Sequence, residues 1–73
     1  MGVEIISNPL SVSALLSGEI DHHTAAAMRA DIDAAAVAQQ PKILRLDFED
    51  VTFMDSSAVG LVMGRYRLLQ GWQ

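Results

Sequence analysis

The hydrophobic pattern changes period twice between Leu10 and Phe48, and this restricts the fold more than any other feature of the chain. Leu10, Val12, Ala14 and Leu16 alternate with Ser11, Ser13 and Leu15, the period-two pattern of a strand with one buried face. From Asp21 or Thr24 the spacing becomes three and four: Ala25, Met28, Ile32 and Ala35-Ala36 share a stripe that excludes Arg29, Asp31 and Asp33. This predicts an amphipathic helix, supported by the high helix propensity of its alanines. Ile43, Leu44, Leu46 and Phe48 then make a more continuous apolar run, which predicts a central strand. A strand, a helix and a strand joined in this way form a parallel pair with a right-handed crossover.

The flanking segments complete the outline. Val3 to Ile6 is a short apolar run ended by the turn residues Ser7-Asn8-Pro9, so an edge strand and an antiparallel hairpin are expected. Gly18 is expected to break the second strand. Asp21 and Thr24 are both suitable N-caps, and Gln39-Gln40-Pro41 ends the helix because a residue before proline avoids the helical region. Val59, Val62, Met63, Tyr66 and Leu69 lie on one face of a second helix, with Asp55 as its cap and Gly71 as its stop. Met54, Met63 and Tyr66 are expected in the core, and Gly60 and Gly64 to allow close packing on the sheet. The predicted order is β-β-α-β-α: an α/β, two-layer fold with a mixed sheet and its helices on one face.

The chain has 73 residues and no internal repeat or linker, so residues 1–73 read as a single domain. A domain of this size buries only about 60% of its unfolded surface. Apolar residues make up 51%, enough for a packed core, but alanine is the most frequent of them and there are only two Phe, one Tyr and one Trp. The core should be thin. A net charge of −4 with no basic cluster argues against nucleic-acid binding. Absence of cysteine removes disulfides, thiolate catalysis and zinc–thiolate sites. No apolar run approaches the roughly 20 residues of a membrane span, and the N-terminus lacks a secretory signal pattern. A soluble, cytoplasmic protein without a membrane anchor is the expectation.

In a parallel pair, the segments after the second and third strands emerge side by side at the carboxyl edge, where ligands and partners favour such sheets. Those segments hold Glu19-Ile20-Asp21-His22-His23 and Asp50 to Ser57. With Asp55 as cap, Ser56 and Ser57 take the first two helical positions, where a phosphate would meet unpaired N–H groups and the positive end of the helix dipole. On the residues alone, Asp55-Ser56-Ser57 also reads as an ordinary helix start. Asp21 with His22-His23 could suggest a metal site, but adjacent loop histidines rarely aim at one ion and no third ligand stands at a recognisable spacing. A hydrolase using Ser56 or Ser57 with His22 and Asp55 would need an activated serine and an oxyanion hole, and no Gly-x-Ser-x-Gly turn is present. No metal, cofactor or enzymatic activity is expected.

The whole run Leu46-Asp47-Phe48-Glu49-Asp50-Val51-Thr52-Phe53-Met54-Asp55-Ser56-Ser57, with Val59-Gly60-Leu61 and Gly64-Arg65-Tyr66, closely resembles the central motif of the STAS domain. Gly18-Glu19-Ile20-Asp21-His22-His23-Thr24-Ala25 resembles a second motif of that family, in the right order and on the expected element. The resemblance covers essentially the whole chain and is to the anti-sigma-factor antagonists, the sporulation type in particular. It implies that Ser57 is a phosphoacceptor. It also implies two partners: an anti-sigma factor with serine kinase activity, bound in the unphosphorylated state, and a serine phosphatase that resets the cycle. By the same carry-over Asp55 supports the phosphorylated serine, and Asp21, His22, His23, Asp55, Ser56 and Ser57 form the binding surface. A non-switching STAS interaction or scaffold module in a stress-signalling complex is the alternative. Two departures stand out. Ala58 occupies a position where the family usually has glycine, and the family domain continues beyond the second helix with another strand and further helices. The domain is therefore expected to be incomplete at its C-terminus. The apolar edge of the Ile43-to-Phe48 strand would then be bare and open to self-association.

Overall fold

The computed structural model describes residues 2–70. Its elements are β1 (Gly2–Ser7), β2 (Ser11–Ile20), α1 (His22–Gln39), β3 (Ile43–Met54) and α2 (Ser57–Gln70), the β-β-α-β-α order expected. The sheet order is β1-β2-β3, with β1 antiparallel and β3 parallel to β2. Asn8 makes the hairpin turn, its Oδ1 accepting the Leu10 and Ser11 N–H groups at 2.9 Å. These side-chain bonds fix the turn locally, as asparagine does in such turns.

The alternation expected over Leu10 to Leu16 holds from Val12 onward: Val12, Ala14, Leu16 and also Ile20 are fully buried and face the helices, whereas Leu10 precedes β2 and is exposed. Met28, Ile32 and Ala36 of α1 close over them, with Ala58 and Leu61 of α2 beside. The helix α1 ends before Pro41, as expected, through a left-handed cap and not the extended residue that usually precedes proline. Gln40 takes a left-handed conformation (φ 46°), its N–H donates to Ala36 O at 2.7 Å, and Pro41 follows.

In this three-stranded sheet β2 is flanked on both sides, and β3 has β2 on one side and no described strand on the other, the bare edge expected where the family's further strand would pair. Its apolar residues are accordingly half-buried at best, and Ile43 is exposed. Three expectations are corrected. Gly18 does not end β2 but lies within it at φ +78°, beside the irregularities where the β2–β3 register shifts. A glycine can hold that backbone at a bulge while the strand continues. The buried stripe of α2 is Ala58, Leu61 and Arg65, whereas Val59, Val62, Met63 and Tyr66 are exposed, as is Met54. The helix carries two apolar faces, and only the one toward α1 and the core is covered. Gly60 and Gly64 have open space around them and mediate no close approach. The proposed stop at Gly71 lies outside the described residues.

Burial of Arg65 explains the turn of α2. Its Nε lies 2.6 Å from Asp33 Oδ1 on α1 without being aimed along a hydrogen-bond axis, and Nη1 donates to Leu61 O at 3.3 Å. A guanidinium 7% exposed needs such partners, since an uncompensated charge in the interior is costly. It ties α2 to α1 where the apolar pattern alone would have rotated the helix toward the sheet.

The backbone at Gly18 gives a test. A Cβ there meets nothing within 4 Å, so substitution is penalised by the positive φ alone. We expect Gly18→Ala to lower unfolding free energy by about 1–2 kcal/mol and Gly18→Asn by less, because asparagine tolerates the left-handed region better. Equal stability of all three proteins in urea titrations would contradict this account.

Candidate functional site at the carboxyl edge

The parallel pairing brings the two signature segments together. Glu19 is opposite Phe53 and Ile20 opposite Met54, so β2 and β3 end level with one another. The Asp55 N–H donates to Ile20 O at 3.1 Å, extending the ladder one residue past β3. Asp21 and Asp55 are the next residues, and each starts a helix. The site is therefore two adjacent helix N-termini, each headed by a carboxylate. The segments are shorter than loops: Glu19 and Ile20 belong to β2, His22 and His23 to the first turn of α1, and Asp50 to Met54 to β3.

Asp21 caps α1 completely. Its Oδ1 accepts the His23 N–H at 2.9 Å and the Thr24 N–H at 3.0 Å. Thr24 Oγ1 accepts the Asp21 N–H at 2.8 Å and donates to Glu19 O at 2.8 Å. This reciprocal box settles which residue is the cap: Asp21 holds that position and Thr24 is its partner three residues on. The Thr24 amide, above all, holds the Asp21 carboxyl below its ordinary 3.8; the His23 amide, the Thr24 hydroxyl and the His23 charge add to this against an opposing desolvation. His22 and His23 are exposed, with ring centroids 4.1 Å apart and planes tilted by 37°.

Asp55 works differently from the simple cap expected. Its Oδ1 accepts the Ser57 N–H at 2.8 Å, a turn closed within two residues. The Ala58 N–H reaches Asp55 O and the Val59 N–H reaches Ser56 O, both at 3.1 Å. Ser56 thus lies in the turn, and Ser57 is the first residue of α2 rather than the second. The amides of Ser57, Ala58 and Val59 already have acceptors. A phosphate at Ser57 would feel the helix dipole but would find these three N–H groups already engaged, and the Asp55 carboxylate stands two residues away.

Asp55 and Ser56 are exposed and Ser57 is half-buried; among the described residues no side chain hydrogen-bonds the Ser57 hydroxyl. Oδ1 of each aspartate is engaged by backbone amides, and among the described residues neither carboxylate hydrogen-bonds a histidine ring. Among the described residues no three His, Asp or Glu side chains gather as a metal site. Ala58 is buried, so the methyl group that replaces the family's usual glycine points into the core and not at an approaching partner. Phe53 and Met54, 55% and 54% exposed, put large apolar side chains beside Asp55. Sequence reasoning missed them as surface residues, because an apolar pair before a helix normally signals core; the acidic Glu49-Asp50 and Thr52 around them were the available sign of an exposed strand end.

The fold and this arrangement define a class. The profile of the STAS domain matches residues 5–71, and the chain belongs to that family. Its relatives include an anti-sigma F factor antagonist of Paenibacillus polymyxa, 43% identical over 54 residues that cover 74% of this chain and 46% of that protein. The solved structure of the anti-sigma factor antagonist SpoIIAA in its unphosphorylated form superposes with a TM-score of 0.78 at 37% identity, over 96% of this chain and 64% of that one. The Bacillus cell fate determinant SpoIIAA in its phosphorylated form gives 0.76, also at 37% identity and with the same coverage. The chain spans about half the length of the curated relative and about two thirds of the solved structures. Among the described residues no helix is long and apolar enough to cross a membrane.

The depressed Asp21 carboxyl predicts a pH dependence. A folded-state value below the unfolded one gives stability that is fully present above the unfolded value and is lost as pH falls through the folded value. Stability should therefore decline as pH drops below about 4, in part through Asp21. Asp21→Asn keeps a good cap but removes the titration, so its acid limb should be flatter than that of the parent protein in denaturant titrations from pH 7 to pH 2. Identical acid limbs would exclude Asp21 as a contributor.

Proposed function

We propose that this chain is the STAS region of an anti-sigma-factor antagonist, controlled by phosphorylation of Ser57. In this reading the unphosphorylated surface of Asp21, His22, His23, Asp55, Ser56 and Ser57 docks on an anti-sigma factor that is also a serine kinase, and the sigma factor is released. The kinase transfers the γ-phosphoryl group of ATP to Ser57 Oγ; the hydroxyl proton leaves and ADP departs. The antagonist then dissociates, and a serine phosphatase restores it by hydrolysis.

The observation that carries this reading is the position of Ser57. Ser57 opens α2 with its backbone N–H on the Asp55 carboxylate, and Asp55 follows β3 where Asp21 follows the adjacent β2. Phosphorylation adds about −1.5 to −2 charges to a surface that already presents both carboxylates. No fold change is required. The TM-scores of 0.78 and 0.76 against the unphosphorylated and phosphorylated SpoIIAA structures fit a modification that leaves the backbone in place. A switch of this kind needs little energy, since about 1.4 kcal/mol changes affinity tenfold and an unmatched charge at an interface costs more than that. The exposed Phe53 and Met54 supply the apolar contact that a charge-lined surface lacks, and an aromatic there suits an interface hot spot.

Incubation with a cognate anti-sigma kinase and ATP should place one phosphate on Ser57, read by mass spectrometry of the peptides. Ser57→Ala should bind the kinase as the parent does and take no phosphate, while Ser57→Asp should bind at least about tenfold more weakly. Phosphate on Ser56 alone, or on neither serine, rejects the site. Undiminished binding by Ser57→Asp would instead identify a non-switching interaction module.

A further inference from the structure

One buried charge plays no part in the proposed binding surface. Arg65 is 7% exposed, and its Nε lies 2.6 Å from Asp33 Oδ1. Both atoms are buried, and neither has a hydrogen-bond partner among the described residues, so each charge is offset chiefly by the other. Nη1 reaches Leu61 O, but that carbonyl belongs to α2 and moves with it. Among the described residues the polar tie from Arg65 to another element is therefore Asp33 of α1.

Adhesion alone does not require an ion pair here. Apolar side chains of similar volume commonly hold two elements together as well as a buried ion pair does. What they do not supply is a unique setting. Val59, Leu61, Val62, Met63, Leu68 and Leu69 spread over more than half the circumference of α2, so burial of apolar area is compatible with several rolls about the helix axis. The buried stripe is Ala58, Leu61 and Arg65. Past Leu61, the guanidinium is thus the group that fixes which side of α2 faces inward.

We propose that the Asp33–Arg65 pair sets the roll of α2 against α1 and thereby places Ser57 relative to the Asp21-His22-His23 segment. Asp33 and Arg65 are then positioning residues for phosphorylation, an assignment that rests on the proposed modification of Ser57. Each helix begins at the site, α1 with His22 and α2 with Ser57, and the pair joins them farther along. Eight residues, about 12 Å of helix, separate Ser57 from Arg65, and a helix transmits a roll over that length. With Cα atoms about 2.3 Å from the axis, a roll of roughly 30° moves the Ser57 Cα by about 1.2 Å and its hydroxyl farther. The bonds of the Ser57 and Ala58 amides end on Asp55, next to them in sequence, and do not reach α1. An offset of about 1 Å at a reacting group is enough to slow a reaction up to about 100-fold.

The double variant Asp33→Leu/Arg65→Met keeps the volume of the pair and removes both charges. Its urea midpoint should stay close to that of the parent protein, which separates positioning from loss of fold. The chain has no cysteine, so Ala26→Cys and Gly60→Cys, both exposed, carry two spin labels at unique places on α1 and α2. Their distance distribution by double electron–electron resonance should be narrow in the parent and should broaden or shift by more than about 2 Å in the double variant. With a cognate anti-sigma kinase and ATP, kcat for Ser57 phosphorylation should fall at least tenfold in the double variant. Arg65→Lys, which keeps a cation opposite Asp33, should stay within about threefold of the parent. Should the double variant not unfold cooperatively, Asp33→Asn, at a side chain 32% exposed, makes the same comparison. Unchanged label distances overturn the proposal, with or without a kinase. Altered distances with undiminished phosphorylation overturn the link to Ser57. A parent protein that takes no phosphate on Ser57 rejects the reading of the site instead, and the label distances still decide whether the pair sets the helix.

Discussion

The hydrogen-bonded parallel pairing of β2 with β3 is the constraint on which the rest of the structure depends. A parallel pair needs a crossover, and α1 supplies it, covering Val12, Ala14, Leu16 and Ile20 as it returns. Because Ile20 and Met54 are opposite one another, both strands leave the sheet at the same level. Both chains then turn directly into helices, and a helix that starts at the sheet needs an acceptor for its first amides. Asp21 and Asp55 provide them. The adjacency of two acid-headed helix starts follows from strand pairing, without any contact between the two side chains.

Much of this was written in local patterns. The alternation of β2, the Ala25–Met28–Ile32–Ala36 stripe and the proline stop at Pro41 each arise from neighbours in the chain, so a reading of neighbours recovers them. The rank of β3 in the sheet does not. Whether an apolar run is central depends on how many strands flank it, and Ile43 to Phe48 carries no record of that. The face of α2 was misjudged for a related reason. Val59, Val62, Met63 and Tyr66 make a regular apolar stripe, and the buried one is interrupted by a charge, Arg65, whose partner Asp33 is 32 residues away in sequence. At the site, the helix start at Asp55-Ser56-Ser57 was legible, as was the candidate cap at Asp21. The accounting of N–H groups was not: whether Asp55 reaches two residues or three decides if an anion would find free donors, and that is a matter of ångströms.

The thin core and the exposed apolar face of α2 have one origin. Among the described residues α1 and α2 cover a three-stranded sheet, and alanines make up much of what they contribute to the buried cluster. Small side chains let the helices approach the sheet but bury little area each, and burial scales the hydrophobic contribution. Meanwhile Val59, Met63 and Tyr66, larger than the alanines, remain outside it. Apolar surface is thus distributed against the interests of an isolated domain of this outline. A covered β3 edge would convert those residues from a liability into stabilising contacts, whichever polypeptide supplies the cover.

This separation also bears on how a switch at Ser57 would operate. The residues that hold the fold together lie under the helices, whereas Asp21, His23 and Asp55 stand at the carboxyl edge with their backbone amides already paired. A phosphate added there gains the favourable end of a helix dipole worth roughly 0.3–1 kcal/mol, but competes with Asp55 for the Ser57 N–H and meets its charge. These local terms oppose one another, so neither a large stabilisation nor unfolding of α2 is expected from them. What has no opposing term is the change seen by a partner: a surface with two carboxylates becomes one with two carboxylates and a dianion. A helix start whose Ser57, Ala58 and Val59 amides are already paired therefore favours a switch by charge over a switch by rearrangement.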